Sequence, residues 1–374
     1  MTDFVDLEIK NTKLHFRQDD LEDYKQDIIL FLENQDYMKN LNFAKQMMMS
    51  QEIRSNNLIE GITDDLSIID EVIANKSSIP NDKKKRMINL YHGYQYILTH
   101  DTIDKDHLKE LYQILSEGLL EPTELNNMGS YYRNAPVYIL KGIRIDIEPY
   151  QGIDKDKIDY YMEQLFEYIN TNNNINEIDS FIKSQILHFY FVYIHPYFDV
   201  NGRTSRTVSM WYLLNQKSYP YIIFNRAIAF AKRDYEKNII RTRNSGNITS
   251  FLKYLLINVK KELEKESVIN SIKQNTTDVT KEDLQMVEYL LSLNGSLTVK
   301  DLATIYNRYN ERQKVYSLFN QKIKPLMEKE ILIRKKETQS FIYGKQHNFN
   351  LGLNSDLINV DYSKIKYLNL KRFI

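Results

Sequence analysis

The chain has 374 residues, and its 50 basic and 50 acidic side chains give a formal net charge of zero. With this balance, the protein as a whole has no electrostatic attraction to nucleic acid or to an anionic membrane. A local basic patch is still compatible with it. The sequence contains no cysteine, which excludes disulfides, zinc–thiolate sites and thiol nucleophiles. Because it shows neither a signal peptide nor an apolar stretch of about 20 residues, we expect a soluble, cytoplasmic protein with no membrane partner.

Helical periodicity dominates the chain, which has only 11 Gly and 7 Pro, and predicts a mostly α fold. Residues 1–120 read as helices separated by short polar turns, and the helix over 43–62 should stop at Gly61. Other helices are predicted over 64–74, 84–98, 106–120 and 154–170. The period changes over residues 137–147, where two short apolar runs flank Lys141-Gly142 and predict a β-hairpin.

Two strongly apolar segments, residues 180–194 and 204–214, read as helices that are buried on all sides. The polar loop HPYFDVNGR (195–203) lies between them. Polar loops normally run over the surface, so a loop held between two buried helices predicts a positioned functional site.

A third unit is predicted from about residue 275, after the charged run 260–267. Three helices are predicted over 282–293, 298–306 and 311–330. Two strands on either side of residues 337–339 would follow them, and this order is typical of a winged-helix domain.

The loop has the residues of an anion site. The Asn201-Gly202 pair predicts a tight turn, with a helix starting at about Arg203, so the backbone amides of residues 200–206 should be unpaired and face an anion. Arg203 and Arg206 fall on one face near that helix start, which suits a polyphosphate.

Two further side chains extend this interpretation toward catalysis. Asp199 would be repelled by a bare phosphate and makes sense if Mg²⁺ bridges the two. His195 could act as a base near neutral pH. Each residue alone also has an ordinary explanation: a structural histidine before proline, a helix-capping aspartate, or arginines that are solvated or salt-bridged. Their combination within twelve residues favours a catalytic site.

The loop resembles the motif of the Fic family, His-Pro-Phe-x-Asp/Glu-Gly-Asn-Gly/Lys-Arg-x-x-Arg. The matching positions are His195, Pro196, Asp199, Asn201, Gly202, Arg203 and Arg206. Tyr197 stands in place of Phe, and Val200 stands in place of Gly. Because a β-branched residue resists positive φ, Val200 bears on catalytic efficiency and on the choice of nucleotide. The resemblance extends over roughly residues 50–260.

The resemblance implies a protein adenylyltransferase that moves AMP from ATP to a Ser, Thr or Tyr hydroxyl of a target protein, which could be the chain itself. His195 would be the catalytic base, and Asp199 would hold Mg²⁺. The residues implied in phosphate binding are Val200, Asn201, Gly202, Arg203, Thr204, Ser205 and Arg206. Tyr235 and Asn244 match the adenine side only loosely. The hairpin would be the flap that holds the target strand, through Val137, Tyr138 and Ile139.

A second resemblance concerns residues 56–61, Asn-Asn-Leu-Ile-Glu-Gly. They are similar to the family's inhibitory helix, Ser/Thr-x-x-x-Glu-Gly/Asn, with Asn56 in place of Ser or Thr. The resemblance implies that Glu60 pairs with Arg206 and keeps ATP from seating productively. The alternative is an ordinary exposed glutamate in a last helical turn.

These observations predict a mostly α protein: a Fic-type helical bundle with a β-hairpin flap and a C-terminal winged-helix domain. The predicted units are residues 1–105 with the inhibitory helix near 50–61, the catalytic core 106–270, and the winged-helix-like domain 275–374. A homodimer stays an open alternative.

Two other functions stay open. The first is a different reaction on the same loop: transfer of UMP, GMP, phosphate or phosphocholine, or removal of AMP. The second is a DNA-binding regulator that acts through the C-terminal unit. Its candidate phosphate contacts are Lys322, Lys324, Arg334, Lys335 and Lys336. The positive charge of this patch is reduced by three neighbouring acids, Glu328, Glu330 and Glu337.

Overall fold

A computed structural model describes residues 2–62, 82–139, 150–171, 176–293, 297–310, 312–335 and 350–374. The structure is mostly helical (67%) with small two-stranded sheets, as the sequence predicted. The predicted helix over 64–74 and most of the predicted hairpin lie outside the described residues. Among the described helices, none combines the length and apolar character needed to cross a bilayer.

The elements follow one another in a simple order. The helices are α1 Asp19–Leu32, α2 Leu41–Met47, α3 Ile53–Ile59, α4 Asp82–Ile97, α5 Lys105–Ser116, α6 Pro122–Asn126, α7 Ile158–Asn170, α8 Glu177–Ile194, α9 Asn201–Asn215, α10 Phe224–Phe230, α11 Lys232–Ser245, α12 Thr249–Asn275, α13 Lys281–Leu291, α14 Val299–Tyr309, α15 Val315–Leu318 and α16 Lys324–Glu328. The strands are β1 Thr2–Ile9, β2 Thr12–Arg17, β3 Tyr138–Ile139, β4 Tyr150–Gln151, β5 Leu332–Arg334 and β6 Leu351–Leu353. They form three antiparallel pairs: β1 with β2, β3 with β4, and β5 with β6.

The N-terminus corrects the prediction that residues 1–120 are all helical, because β1 and β2 form a hairpin. Lys10 and Asn11 have φ values of 45° and 64° at its turn, as a two-residue hairpin turn requires. Val5, Leu7 and Ile9 alternate toward the core, the period of two that a half-buried strand shows. This alternation is too short to stand out beside the helical pattern that follows it.

Helices α8 and α9 form the centre of the molecule. Nearly all of their side chains are buried, including Phe189, Trp211 and Leu213. The catalytic loop predicted from the sequence connects them. Helix α9 begins at Asn201 rather than at about Arg203, because the left-handed backbone at Val200 already turns the chain into the helix.

The predicted helix over 43–62 is present in two parts, α2 and α3, joined by one π-helical turn, Met48–Glu52. Such insertions of one residue into a helix are frequent at functional sites. Helix α3 is buried over its whole length, and Gly61 follows with φ of 80° at the predicted stop.

The C-terminal segment contains the helices α13 to α16 and the pair β5–β6, in the order that a winged helix requires; residues 336–349 lie outside the description. Two of its candidate DNA-contacting lysines are paired with acids: Lys322 with Glu282, and Lys324 with Glu328 at 3.3 Å. The winged-helix assignment and the domain limits stay predictions.

Candidate active site

His195 ends α8 in the left-handed conformation, with φ of 53°. Its amide donates to the Phe191 carbonyl at 3.0 Å, while its ring Nδ1 is buried and has no hydrogen-bond partner among the described residues. Burial lowers the pKa of the His195 ring to about 4. The imidazole is therefore neutral at pH 7 and able to accept a proton.

The start of α9 provides fewer amides than the sequence predicted. Val200 caps the helix, and the amide of Thr204 already donates to the Val200 carbonyl at 2.9 Å. Only residues 201–203 therefore lack an intrahelical acceptor, and the later amides of the predicted run are part of the helix. Three amides at a helix start still suit an anion.

Several polar side chains of the predicted phosphate site bond within the protein instead. The Asn201 amide group accepts from the Tyr197 amide at 3.0 Å and donates to the Tyr197 carbonyl at 2.8 Å, so it fixes the shape of the loop. The Thr204 hydroxyl donates to the Val200 carbonyl, and the Ser205 hydroxyl to the Gly202 carbonyl, each at 2.9 Å. These three side chains are therefore engaged within the protein, and phosphate binding by their residues stays a prediction.

The two arginines of the loop are both buried, at 4% exposure for Arg203 and 2% for Arg206. Nε of Arg203 has no hydrogen-bond partner among the described residues, and burial lowers the pKa of Arg203 to about 10. Arg206 donates through Nε to the Asn56 side chain at 2.9 Å and through Nη2 to Glu60 at 2.5 Å. A buried guanidinium without an acceptor is a strong attractor for an anion.

Glu60 reaches the start of α9 from α3. Burial alone would raise the pKa of Glu60, but attraction by Arg206 and Arg203 outweighs burial and leaves that pKa below its ordinary value. A Cβ added to Gly202 would lie 2.8 Å from Glu60 Oε1 and 3.1 Å from Arg206 Nη1. The carboxylate therefore lies directly beside the helix start, and only glycine leaves room for it there.

Asp199 is the acidic side chain of the loop and is half-exposed. One of its oxygens accepts from the Val200 amide at 2.6 Å, and the other lies 3.7 Å from Nη1 of Arg86. Among the described residues there is no cluster of three or more metal-binding side chains. One accessible carboxylate still fits Mg²⁺, which keeps several waters and takes its other ligands from substrate phosphates. No sequence pattern marked Arg86, which comes from the distant helix α4.

The base of the flap is described, while its tip (140–149) is not. Tyr138 pairs with Gln151 and Ile139 with Tyr150, and the Val137 carbonyl accepts from the Gly152 amide at 3.1 Å. Tyr138 is 63% exposed, which is consistent with a surface for a target strand.

Arg133 is a further residue of the site that sequence reasoning did not single out. It is 2% exposed, and its guanidinium bonds only to carbonyls: to His195 at 2.9 Å, to Ala135 at 2.7 Å and to Ile153. Its position directly before the flap was the only available signal.

The residues suggested for the adenine side are not part of this constellation. Tyr235 is buried, and its hydroxyl lies 2.9 Å from Nε2 of the buried His188. Asn244 is exposed and accepts from Lys10 at 3.3 Å. The adenine-side role of the two residues stays a prediction.

A neutral histidine at the end of one buried helix thus faces the amide-rich start of the next, beside two buried arginines. Fold and site together define a mostly helical protein whose central loop has the groups of a candidate anion site next to a neutral histidine.

Comparison with known proteins gives the family. The model of the Fic/DOC family matches residues 102–213. Proteins named protein adenylyltransferase Fic from Drosophila grimshawi and Drosophila mojavensis are each 29% identical over 101 residues, 27% of this chain. A solved structure of a Fic family protein from Desulfovibrio desulfuricans G20 superposes with a TM-score of 0.54 at 20% identity and covers 84% of this chain and 90% of that one.

Residues 102–213 thus match the Fic/DOC family, and the matched segment contains the whole loop predicted to be catalytic. The chain spans only 20% and 19% of the length of the two Drosophila proteins. The likeness to the Desulfovibrio protein concerns the fold. Glu60 and the C-terminal unit lie outside the family match.

Proposed function

We propose that the chain is a protein adenylyltransferase, which moves AMP from ATP to a Ser, Thr or Tyr hydroxyl of a target protein. The observation that carries the proposal is the neutral imidazole of His195, which ends α8 directly before the loop that leads into the start of α9. A base that is uncharged at pH 7 is suited to take a proton from a hydroxyl group. Named Fic adenylyltransferases among the relatives support the same reaction.

In this mechanism His195 removes the proton of the target hydroxyl, whose oxygen then attacks the α-phosphate of ATP in line, and pyrophosphate leaves. Amides 201–203 and the buried guanidinium of Arg203 stabilise the negative charge on the phosphates. Asp199 would hold Mg²⁺, which neutralises phosphate charge when bound. The flap would hold the target chain by strand addition, which demands little of its side chains.

Glu60 is the proposed inhibitor. Its carboxylate bonds to Arg206 and lies beside Gly202. There it would repel a phosphate of ATP and occupy the guanidinium that would otherwise bind that phosphate. Because the pKa of Glu60 is lowered, it stays charged at every pH near neutrality. Inhibition is therefore relieved by moving α3, and a modest change of pH does not relieve it.

The test is incubation of wild type, Glu60→Gly and Glu60→Gly/His195→Ala with labelled ATP and Mg²⁺, followed by mass spectrometry of the protein. We expect AMP on the Glu60→Gly protein, much less on wild type, and none on the double variant. A folded Glu60→Gly protein that is no more active than wild type would contradict inhibition. ATP binding without AMP transfer by any variant would contradict the reaction, and labelled UTP, GTP and CDP-choline would then distinguish the alternatives.

A further inference from the structure

Arg133 connects three parts of the site through one buried guanidinium. Besides the carbonyl of His195, it bonds to Ala135 before β3 and to Ile153 after β4. Its backbone amide also donates to the Pro196 carbonyl at 3.0 Å. Among the described residues, no carboxylate lies within ion-pair distance of it, although Asp154 acts on its charge from farther away.

These bonds matter because His195 has a left-handed backbone. A residue other than glycine resists this conformation, so the carbonyl contact holds it in place. Gly152 packs closely against both Arg133 and His195. A Cβ there would lie 2.9 Å from Nη2 of Arg133 and 3.2 Å from Cβ of His195.

We propose that Arg133 is a positioning residue that fixes the orientation of His195 relative to both ends of the flap. This inference rests on the proposed function. A target strand added to the flap would thereby be held at a set distance from the base. Lysine cannot replace the arginine, because a single ammonium group cannot serve three separated carbonyls as a planar fork does.

The experiment uses the Glu60→Gly protein as background and adds Arg133→Lys. We expect the single-turnover rate of self-modification to fall at least tenfold, while the Kd of ATP measured by calorimetry changes less than threefold. Arg243→Lys is the control, because Arg243 also donates to a carbonyl of the flap base, that of Gln151 at 3.4 Å, but comes from α11. An unchanged rate, or equal losses of rate and ATP affinity, would overturn the positioning role.

A separate set of contacts joins the inhibitory helix to the C-terminal unit. Arg54 of α3 is buried, and three residues of α13 contact it. Its Nη1 lies 3.7 Å from Glu288, and its guanidinium lies 5.2 Å from the centre of the Tyr289 ring. In the amide orientation that satisfies both its oxygen and its nitrogen, Gln285 accepts from Arg54 at 2.9 and 3.0 Å.

The other oxygen of Glu288 lies 3.8 Å from Nε of Arg226. Arg226 comes from α10 of the catalytic core and also pairs with Glu262 at 3.1 Å and Glu266 at 3.0 Å, both on α12. Arg226 therefore keeps counter-charges when α13 moves, whereas Arg54 loses Glu288. A buried charge without its partner strongly disfavours the conformation that contains it.

We infer that α13 is a latch that holds α3, and with it Glu60, in the inhibitory position. Displacement of α13 by a binding partner of the C-terminal unit would remove the Glu288 ion pair and the Gln285 hydrogen bonds of the buried Arg54, and α3 would shift to rehydrate it. Arg54 and Glu60 lie at opposite ends of this short helix, so such a shift also separates Glu60 from Arg206. The latch rests on the proposed function of Glu60 as inhibitor.

The test compares self-modification by wild type, Glu288→Gln, Glu60→Gly and the double variant. We expect Glu288→Gln to raise the rate at least tenfold over wild type and to add less than twofold to Glu60→Gly, because both act through the same inhibitor. Gln285→Leu is a milder second variant with the same expectation. Glu282→Gln is the control, because Glu282 is on α13 but pairs with Lys322.

Wild-type rates in folded Glu288→Gln and Gln285→Leu would overturn the latch, as would an equal increase in the Glu60→Gly background. If Glu60→Gly itself transfers no AMP, the proposed function fails and the latch is judged by hydrogen exchange. The amides of residues 53–59 should then exchange at least tenfold faster in Glu288→Gln than in Glu282→Gln. Equal exchange in the two variants would refute the latch independently of any activity.

Discussion

Lowering the pH from 7 to 5.5 should leave catalysis by the Glu60→Gly protein nearly unchanged, because burial lowers the pKa of His195 to about 4. The base acts in its neutral form, and a lowered pKa keeps that form present at lower pH. A histidine with an ordinary pKa of about 6.5 would be only about 10% neutral at pH 5.5, against more than about 95% for a pKa of about 4. The two cases differ roughly tenfold in rate.

The quantity to measure is kcat/KM for ATP, because its pH dependence reports the ionisation of the free enzyme. Excess Mg²⁺ keeps ATP in one form, and the Kd of ATP for the His195→Ala variant at each pH separates binding from catalysis. NMR of the ring carbons provides a direct check, since the chain has 7 histidines and the signal missing from His195→Ala identifies the base. A tenfold fall in kcat/KM by pH 5.5, with ring titration near 6.5, would refute this reasoning.

Three further predictions concern the same region. Val200→Gly should lower the free energy of unfolding by urea less than Val208→Gly in the middle of α9 does, by a difference of at least about 1 kcal/mol. The reason is that Val200 has φ of 66°, and glycine relieves that strain. Asp199→Asn should raise the Mg²⁺ concentration for half-maximal activity at least tenfold, and a chelator should abolish AMP transfer by Glu60→Gly. Burial lowers the pKa of His188 to about 3, so as the pH falls the unfolded state binds a proton at this ring before the folded state does. The free energy of unfolding by urea should therefore fall between pH 7 and pH 5 by about 2 kcal/mol more in the wild type than in His188→Asn.

The parts of the site that were predictable are those whose signal is local in sequence. His195, Asp199 and the two arginines lie within one loop, so spacing alone indicated their chemistry. The Glu60–Arg206 pair joins residues far apart in the chain, and only the resemblance to a family indicated it. The structure places that pair at 2.5 Å.

Arg133, Arg86 and Arg54 had no such signal. Arg133 bonds to carbonyl oxygens, which every residue has, so no partner type marks it in the sequence. Arg86 and Arg54 meet acids on distant helices, and such meetings depend on packing. The two bonds of the Asn201 side chain were hidden for a related reason: an amide side chain can bind a phosphate or fix a loop, and the sequence does not show the position of the Tyr197 backbone.

Arg206 explains why one carboxylate can control the whole site. Its guanidinium is 2% exposed, so water cannot solvate it and the folded chain must supply an anion. Glu60 supplies that anion in this structure, and a phosphate of ATP would supply it in the active enzyme. Glu60 already lies beside Gly202 and Arg206, so a phosphate bound to this guanidinium would have to displace it. In the inhibition proposed above, one anion is exchanged for another on a fixed cation, so the position of α3 would decide which anion is bound, and the residues that hold α3 would carry the regulation.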